Sequence, residues 1–289
     1  MEHIPVLLNE CLDGLNIRPD GVYLDCTCGL GGHTGAIASR LTTGFVISND
    51  RDEESLEKAK ANTAAYADRI RFHHGPFSSL PKALVSFGVP AVDGLLADLG
   101  VSRYQLTTAE RGFSFMADGP LDMRMSRSSE TTAADIVNFS SELELGQLIA
   151  TLGEERRWWR RIARAIVRGR PIQTTGQLAK LIERAVPRTS RLHPATQTFQ
   201  ALRLAVNSEP EELDALLEWV VDAVKPAGGR AAIISFMSLD DRKVKQRFQA
   251  LAREERVALV NKKVIVPGDE EVEHNPASRS AKLRIFEKL

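Results

Sequence analysis

The chain has 289 residues and equal numbers of basic and acidic side chains, so its formal net charge is zero. This length suits one large domain or one domain with an insertion, and 43% hydrophobic residues are enough for a substantial core. No apolar run reaches the about 18 residues of a membrane span, and the N-terminus mixes charges with apolar residues, unlike a signal peptide. Cys11, Cys26 and Cys28 lack metal-site spacing, and their odd number indicates reduced core thiols in a cytoplasmic protein.

The first elements are a helix, predicted from the apolar spacing of Val6–Leu15, and a short buried strand, Gly21–Asp25, that ends on an acid. A glycine-rich turn, D-x-T-x-G-x-G-G-H, follows, and Gly35–Leu41 has helical spacing. A strand that passes through glycines into a helix lets a ligand approach bare backbone and the first N–H groups of the helix. The alternative is a tight turn without a ligand. The pattern resembles the first motif of S-adenosylmethionine (AdoMet) methyltransferases, and it lacks the G-x-G-x-x-G of nucleotide-dependent oxidoreductases.

Three more strands are predicted before the periodicity changes, namely Gly44–Asp50, Arg69–Phe77 and Val92–Ser102. The last of these contains the run GLLADLG, which is apolar on both faces, as expected of a central parallel strand. Asp25, Asp50 and Asp98 each end a strand. Because ligands bind beyond the carboxyl ends of the strands in open α/β sheets, we expect these three acids to gather at one edge.

Asp50 and Phe77 each have two interpretations. An acid at the end of the second strand of a doubly wound fold grips the hydroxyls of a ribose, which favours a ligand contact for Asp50. The alternative is that Asp50 is the N-cap of the next helix, Glu53–Ala65. Phe77 follows the third strand, where it packs either on an adenine ring or in the core.

The region after the fourth strand predicts an insertion. Residues 103–125 are dense in Gly, Phe, Met and charge and fit neither a strand nor a clean helix. From Thr131 to about Asn207 the apolar spacing is helical. We therefore predict an α/β fold in which residues 1–105 and 208–289 form one discontinuous domain and residues 106–207 form an inserted, mostly helical domain.

The sheet resumes near the end of the chain. An amphipathic helix over Leu213–Val224 precedes the fifth strand, Gly229–Phe236. Ser238, with Asp241 three residues on, is predicted to be the N-cap of the next helix. The segments KKVIVPG and SAKLRIFEKL are predicted as two last strands, which close the sheet as an antiparallel hairpin.

The most charged segment is residues 154–170, which hold seven Arg against two Glu, a local charge of 7 − 2 = +5. Helical spacing places four of these arginines on one face, and two tryptophans adjoin that face: Arg157, Arg161, Arg164, Arg168, Trp158 and Trp159. Guanidinium groups beside aromatic rings favour the phosphates and unstacked bases of RNA. The alternative is a solvated face that is balanced by the acidic segment Glu209–Asp222.

Over nearly its whole length the chain resembles the MraW (RsmH) family of 16S rRNA (cytosine-N4)-methyltransferases. The most specific motifs are ERGFSF at Glu110–Phe115 and GPLDMRM at Gly119–Met125. Further motifs are HIPVLLNE, GGH at Gly31–His33, DRD at Asp50–Asp52, HGPF at His74–Phe77, DLGVS at Asp98–Ser102, GEER, RIARAIV, HPAT-TFQALR, VNSE and DRKVK.

The resemblance implies a Rossmann-like class I AdoMet methyltransferase sheet with an inserted helical domain. The positions that match the family's AdoMet contacts are Gly31, Gly32, His33, Asp50, Phe77, Asp98 and Gln105. The implied substrate is a cytidine in the decoding region of 16S rRNA in the small ribosomal subunit, methylated on its exocyclic amine. Candidates for catalysis or substrate contact are Asp98, Asp122, Asn207 and Arg124, with Phe113 or Phe115 stacking on the base. No metal is expected, and the helical insertion offers a face for a homodimer.

The chain departs from the family's usual pattern at several positions. Arg103 and Tyr104 replace Ser-Pro, Cys28 and Leu30 replace Phe and Arg, and Met237 replaces a His. A thioether neither donates a hydrogen bond nor shuttles a proton. Two alternatives therefore stay open: an AdoMet methyltransferase that acts on a different RNA, and a non-catalytic rRNA-binding assembly protein that keeps the fold.

Overall fold

A computed structural model describes residues 4–188 and 192–289, so His3 of the first motif lies outside the described residues. The described chain divides into two compact units. Met1–Gly100 and Pro210–Leu289 form unit 1, and Val101–Glu209 forms unit 2. Within the described ranges, no helix combines the length and the apolar character that a membrane span needs.

Unit 1 contains one sheet, in which the described residues form seven strands. In chain order they are β1 Val22–Asp25, β2 Phe45–Asp50, β3 Ile70–His74, β4 Gly94–Asp98, β5 Arg230–Ser235, β6 Val257–Leu259 and β7 Lys282–Lys288. Their order across the sheet is β3-β2-β1-β4-β5-β7-β6, with β7 antiparallel to both of its neighbours and the remaining pairs parallel. This is the Rossmann-like sheet of class I methyltransferases, so the predicted fold class is confirmed.

The helices of unit 1 cover both faces of the sheet. With helices numbered in chain order, they are α1 Leu8–Leu15, α2 Gly32–Ser39, α3 Glu53–Asn62, α4 Leu80–Ser86, α11 Glu209–Ala223, α12 Ser238–Arg253 and α13 Asp269–His274. Successive side chains of a strand point to opposite faces. Leu24 and Leu95 accordingly lie in one core with residues of α4, α11 and α12, whereas Tyr23 and Leu96 lie in a second core with residues of α1 and α2. The three cysteines are buried, as predicted for core thiols.

Two predictions about the end of the chain are wrong. The segment KKVIVPG forms only a single bridge, between Ile265 and Leu283, and the edge strand is instead the earlier β6. Ser238 is the first residue of α12 rather than its N-cap, and Met237 occupies the N-cap position. The reason lies in Asp241, whose carboxylate accepts from Arg284 of β7 at 2.7 Å and does not form a capping box.

Unit 2 consists of helices and irregular segments around its own core. Its helices are α5 Arg103–Thr107, α6 Ala133–Phe139, α7 Glu142–Thr151, α8 Trp159–Arg168, α9 Thr175–Ala185 and α10 Thr196–Val206. The chain turns between α7 and α8, where Glu154 has a φ of 53°. The Glu155 carboxylate accepts there from the backbone N–H groups of Arg157 and Trp158, at 2.9 and 2.8 Å. Arg157 therefore precedes α8, which corrects the prediction that it shares the helix face with Arg161.

Candidate functional site

The three acids that end strands lie at one edge of the sheet in unit 1. Asp25, Asp50 and Asp98 are the last residues of β1, β2 and β4, which are adjacent and parallel. In the register of these strands Asp25 lies opposite Ser48 on one side and Leu96 on the other. The predicted gathering of the acids at the carboxyl edge is therefore confirmed.

The glycine turn between β1 and α2 is tied to the end of β2. The N–H of Gly29 donates to Asp50 Oδ2 at 2.7 Å, and the N–H of Cys28 donates to the Asn49 carbonyl at 2.7 Å. Gly29 has a φ of 52°, and a Cβ built there would meet no described atom within 4 Å. Gly31, at the N-cap of α2, has a φ of 88°, and a Cβ there would lie 2.8 Å from Thr63 Cγ2. The turn thus presents open backbone at Gly29 and packs closely at Gly31.

Asp25 serves as an internal anchor of this turn. It is fully buried, and its carboxylate accepts from the Thr34 hydroxyl at 2.6 Å and from the Thr27 N–H at 3.0 Å. Burial raises the pKa of Asp25, and these hydrogen bonds act in the opposite direction. Thr34 lies in the first turn of α2, so Asp25 holds the start of that helix against the end of β1.

Asp98 differs from Asp25 because part of its carboxylate lacks a partner. Among the described residues, no group hydrogen-bonds to its buried Oδ1, while Oδ2 lies 4.0 Å from His33 Nδ1. Its side chain is 24% exposed. Burial, and next the negative charge of Asp25, raise the pKa of Asp98 to about 8. A buried, unpartnered carboxylate oxygen is costly in the free protein, and a cationic ligand such as AdoMet would remove that cost. The site therefore fits AdoMet at this position.

Asp50 is held by backbone groups. Asp52 N–H donates to its Oδ1 at 2.9 Å, and Gly29 N–H donates to its Oδ2. Burial raises the pKa of Asp50 to about 6, although these two hydrogen bonds lower it. The N-cap of α3 is Asp52, whose side chain accepts from the N–H groups of Glu54 and Ser55. The interpretation of Asp50 as that N-cap is therefore wrong.

The other residues that the resemblance assigns to AdoMet occupy three settings. Gly32 and His33 begin α2, and the buried His33 ring places Nε2 3.0 Å from the Val6 carbonyl oxygen. Phe77 follows β3 and is half-buried against the core of α4, α11 and α12. Gln105 is in unit 2, where its side-chain oxygen accepts from the Ser102 N–H at 2.8 Å in the capping box of α5.

A loop of unit 2, residues 111–125, contains two of the candidate residues. Asp122 and Arg124 form a bidentate ion pair, at 2.9 Å from Nε to Oδ1 and 2.8 Å from Nη2 to Oδ2. Burial raises the pKa of Asp122, but the hydrogen bonds from Arg124 outweigh this, so the pKa lies below its ordinary value. The Arg124 guanidinium also donates to the carbonyls of Arg127 and Ser129. Both side chains are thus engaged within their own loop.

Asn207 and Arg111 hold the same loop from within. The Asn207 side chain accepts from Met125 N–H at 2.8 Å and donates to the carbonyls of Met123 and Arg203, at 2.8 and 2.9 Å. The buried Arg111 guanidinium donates to the carbonyls of Arg124 and Met125. Arg111 lies in the motif ERGFSF but was not among the predicted site residues, because a sequence does not show which carbonyls a buried guanidinium reaches.

The two phenylalanines proposed for base stacking differ in access. Phe113 is 6% exposed and belongs to the core of unit 2, which favours Phe115 of the two for stacking on a base. Phe115 is half-buried, with its ring centroid 4.7 Å from that of His193 and 4.9 Å from that of Phe199.

The basic segment forms a surface of five exposed arginines beside two half-buried tryptophans. We call it the arginine–tryptophan surface, and its members are Arg157, Trp158, Trp159, Arg160, Arg161, Arg164 and Arg168. Arg160 lies over the Trp159 ring at 4.2 Å, and Arg157 lies over the Trp158 ring at 4.8 Å. Arg164 differs from the others because its Nε lies 3.3 Å from the Glu142 carboxylate. Arg160 was not among the predicted residues of this surface, because it joins the surface through its contact with the Trp159 ring and does not share the helical spacing of the others.

The profile of the MraW methylase family matches residues 1–289. The chain belongs to the MraW methylase family. It is 60% identical over 285 residues to the ribosomal RNA small subunit methyltransferase H of Solibacter usitatus, with 99% of each chain covered. It is 44% identical over 311 aligned positions to the protein of the same name from Clostridioides difficile, again with 99% of each chain covered. An rRNA methylase from Streptococcus thermophilus aligns with a TM-score of 0.49 and 12% identity, over 100% of this chain and 99% of that one.

Met237 is the position at which the resemblance to the MraW family implies a His. It follows β5 by two residues, and β5 is parallel to β4 with Ile234 opposite Asp98. Met237 thus lies beyond the same carboxyl edge as Asp98. In the described chain its side chain makes no capping hydrogen bond to α12. This departure from the MraW pattern therefore falls at the candidate site and not at a distant surface.

Proposed function

We propose that this chain uses AdoMet to methylate the exocyclic N4 amine of a cytidine in the decoding region of 16S rRNA in the small ribosomal subunit. The observation that carries the proposal is the family match over the whole chain, together with relatives that share its full length and are named as small-subunit rRNA methyltransferases. The unpartnered oxygen of Asp98 at the strand edge supports AdoMet as the cofactor.

When bound, AdoMet would supply a methyl group on a positively charged sulfur. Its transfer to N4 would break the S–CH3 bond, leave S-adenosylhomocysteine as the thioether product and release one amine proton to a nearby acceptor or to water. On the proposal, the Asp98 carboxylate accepts from or pairs with a cationic part of AdoMet, because its Oδ1 has no other described partner. The Asp50 carboxylate accepts from the ribose hydroxyls in addition to its two backbone donors. The backbone of Gly31, Gly32 and His33 lines the turn beside the ligand, with Phe77 against the adenine and Gln105 as a further contact.

The target amine needs activation, because its lone pair is delocalised into the cytosine ring. An acceptor that takes a hydrogen bond from the amine makes the nitrogen more pyramidal and exposes the lone pair, and the base must leave its stack to reach such a site. We assign the acceptor to Asp98 or to backbone carbonyls of Asp98–Ser102. Positioning of the base then supplies much of the rate.

Asp122, Arg124 and Asn207 take a different part in the proposal. Their polar groups hold residues 122–129 and α10 together. We therefore propose that these three residues affect the reaction indirectly, by holding the conformation of residues 122–129. The surface of that segment then contacts the substrate.

The proposed contact with the rRNA backbone is the arginine–tryptophan surface. Arg157, Arg161 and Arg168 are exposed and bind phosphates directly, whereas Arg164 exchanges Glu142 for a phosphate. Guanidinium groups stacked on tryptophan keep their edges available for bidentate phosphate contact.

The test is incorporation of label from methyl-labelled AdoMet into small ribosomal subunits from a strain that lacks the modification, followed by nucleoside analysis. Naked rRNA and total cell protein serve as parallel substrates. We expect a product that co-migrates with N4-methylcytidine, from the ribosomal substrate only. Label in another nucleoside or in protein would show that the substrate is not the proposed cytidine. Binding of AdoMet without any methyl transfer would indicate a non-catalytic assembly protein.

A methyltransferase that acts on another RNA is the second candidate, and Met237 is the observation that favours it. Met237 lies beyond the strand edge that ends in Asp98, and this proposal puts the methyl transfer at that edge. Met237→His tests this alternative. A large gain of activity on small subunits would show that the thioether limits the reaction, whereas equal activity would show that the family's His is dispensable here.

A further inference from the structure

The N-terminal strap, residues 4–7, is fastened to unit 1 at three points. The Asn275 side chain donates to the Ile4 carbonyl at 3.2 Å. The Leu7 N–H donates to Glu271 Oε1 at 2.8 Å, and the Val6 carbonyl lies 3.0 Å from His33 Nε2. Two of these three contacts come from α13 and the residue after it, a segment that has no part in the proposed function.

Leu7 has an unusual backbone conformation that has to be held by contacts with other residues. Its φ of 51° and ψ of 39° are in the left-handed region, which bulky side chains rarely adopt. The side chain is nevertheless completely buried. A residue keeps such a conformation only where its surroundings hold it there. The hydrogen bond to Glu271 supplies part of that hold, because it satisfies the Leu7 N–H in this conformation.

The Val6 carbonyl then decides how the His33 ring is used. A carbonyl oxygen only accepts hydrogen bonds, so His33 Nε2 must carry the proton that it shares with Val6. This contact sets the rotation of the ring and leaves Nδ1 facing Asp98 Oδ2 at 4.0 Å. Fixing one ring nitrogen of a histidine is how a neighbouring group determines the role of the other.

We infer that Glu271 is a positioning residue for the AdoMet site, because it holds the N-terminal strap that orients His33 toward Asp98. The inference rests on the proposed function, since it assumes that Asp98 binds AdoMet. Every contact in the chain from Glu271 through Leu7, Val6 and His33 to Asp98 lies within unit 1. Burial raises the pKa of the Cys11 thiol, and the charges of Asp98 and Glu271 are among the further causes.

The experiment compares three variants of the full-length protein. Glu271→Ala removes the acceptor for Leu7 N–H, whereas Glu271→Gln keeps a side-chain oxygen that accepts. Glu273→Ala is the matched control, because Glu273 is an exposed acid two residues further along the same helix. For each we would measure AdoMet affinity by calorimetry, the ¹⁵N shifts of the His33 ring without ligand, and thermal unfolding.

We expect Glu271→Ala to weaken AdoMet binding by about tenfold and to shift the His33 ring nitrogens, as coupling through a packed hydrogen-bond chain does. Glu271→Gln should stay within about twofold of the wild type, and Glu273→Ala should match it. A folded Glu271→Ala protein with unchanged affinity and unchanged ring shifts would overturn the inference, as would equal losses in the Ala and Gln variants.

The wild-type protein gives an independent check if Glu271→Ala does not fold. Its ligand-free spectrum should show a proton on His33 Nε2, and an unprotonated Nε2 would overturn the inference. A wild type that binds AdoMet and methylates no RNA contradicts the proposed function but leaves this inference standing. A wild type that does not bind AdoMet removes the cofactor from the proposal, and the ring shifts then decide alone whether Glu271 orients His33.

Discussion

The strand edge of unit 1 and the loop 111–125 of unit 2 both bury polar groups, but they differ in whether those groups have hydrogen-bond partners. Carbonyls of the loop accept hydrogen bonds from Arg111 and, from outside the loop, from Asn207, and Asp122 is paired with Arg124. At the strand edge Asp98 keeps an oxygen without a described partner, and burial raises its pKa to about 8. Because an unpartnered buried polar group is costly, the first pattern is that of a scaffold, and the second supports the proposed ligand contact at Asp98.

The difference between the two regions should be clearest in the affinity for AdoMet. Asp98→Asn should weaken AdoMet binding by about 100-fold, because the amide cannot supply the charge that a cation needs. The same variant should unfold no more easily than the wild type, since it removes a buried ionisable group. Calorimetry and thermal unfolding measure the two quantities. Asp68→Asn, at an exposed acid of unit 1, is the control, and equal affinity in both variants would break the contrast.

The scaffold side of the contrast is tested by stability. Asn207→Ala should lower the free energy of unfolding by about 3 kcal/mol, because it removes three hydrogen bonds and leaves buried backbone groups unpaired. Urea unfolding gives this value. The control is Asn62→Ala, an exposed residue that donates to the Leu30 carbonyl, where we expect a loss below about 0.5 kcal/mol. Similar losses at both positions would show that the loop is not a satisfied scaffold.

The raised pKa of Asp98 predicts a pH dependence of binding. If a cation requires the carboxylate, AdoMet affinity should rise about tenfold per pH unit from pH 6 toward the pKa of about 8 and then level off, with release of a proton. Calorimetry in buffers of different ionisation enthalpy measures that proton. The profile of Asp98→Asn removes the ligand's own titration from the comparison, and parallel profiles for the two proteins would contradict the assignment.

The same pKa fixes the sign of a stability effect without ligand. An unfolded Asp has a pKa of about 3.9, so between that value and about 8 the folded protein binds more protons at Asp98 than the unfolded chain does. The free energy of unfolding should therefore fall as the pH rises through this window. Asp50, with a pKa raised to about 6, contributes with the same sign over a narrower range.

The smallest expected effect concerns the exposed cations of unit 2. Arg168→Gln and Arg160→Gln should each reduce the salt dependence of binding to a 16S rRNA fragment by about one unit of slope. Arg164→Gln should reduce it less, because Arg164 gives up its contact with Glu142 when it binds. Filter binding over a range of salt concentrations measures the slopes. Equal changes of slope in all three variants would show that the ion pair with Glu142 does not affect RNA binding. An unchanged slope in all three would show that the RNA binds elsewhere.

Much of the sheet was predictable because its signals are local. The strands β1 to β5, the glycine turn and the acids at the strand ends each follow from a few adjacent residues. The edge strand β6 was not predictable, because it is three residues long and pairs through its backbone with β7, which gives little pattern to detect. Arg157 was misplaced for a similar reason, since the Glu155 side chain that caps the turn before α8 interrupts an otherwise helical spacing.

The family, the acids at the strand ends and the glycines of the turn can all be read from the sequence. Which polar groups have partners depends on the folded chain. Asn207 reaches a loop 82 residues away, and Leu7 N–H is held by Glu271 across 264 residues. Such pairs depend on how distant segments pack, whereas backbone propensity and hydrophobic period depend on neighbours in the chain. Asp25 and Asp98 are both acids at the ends of strands, and packing makes one an internal anchor while it leaves the other with an oxygen that has no described partner.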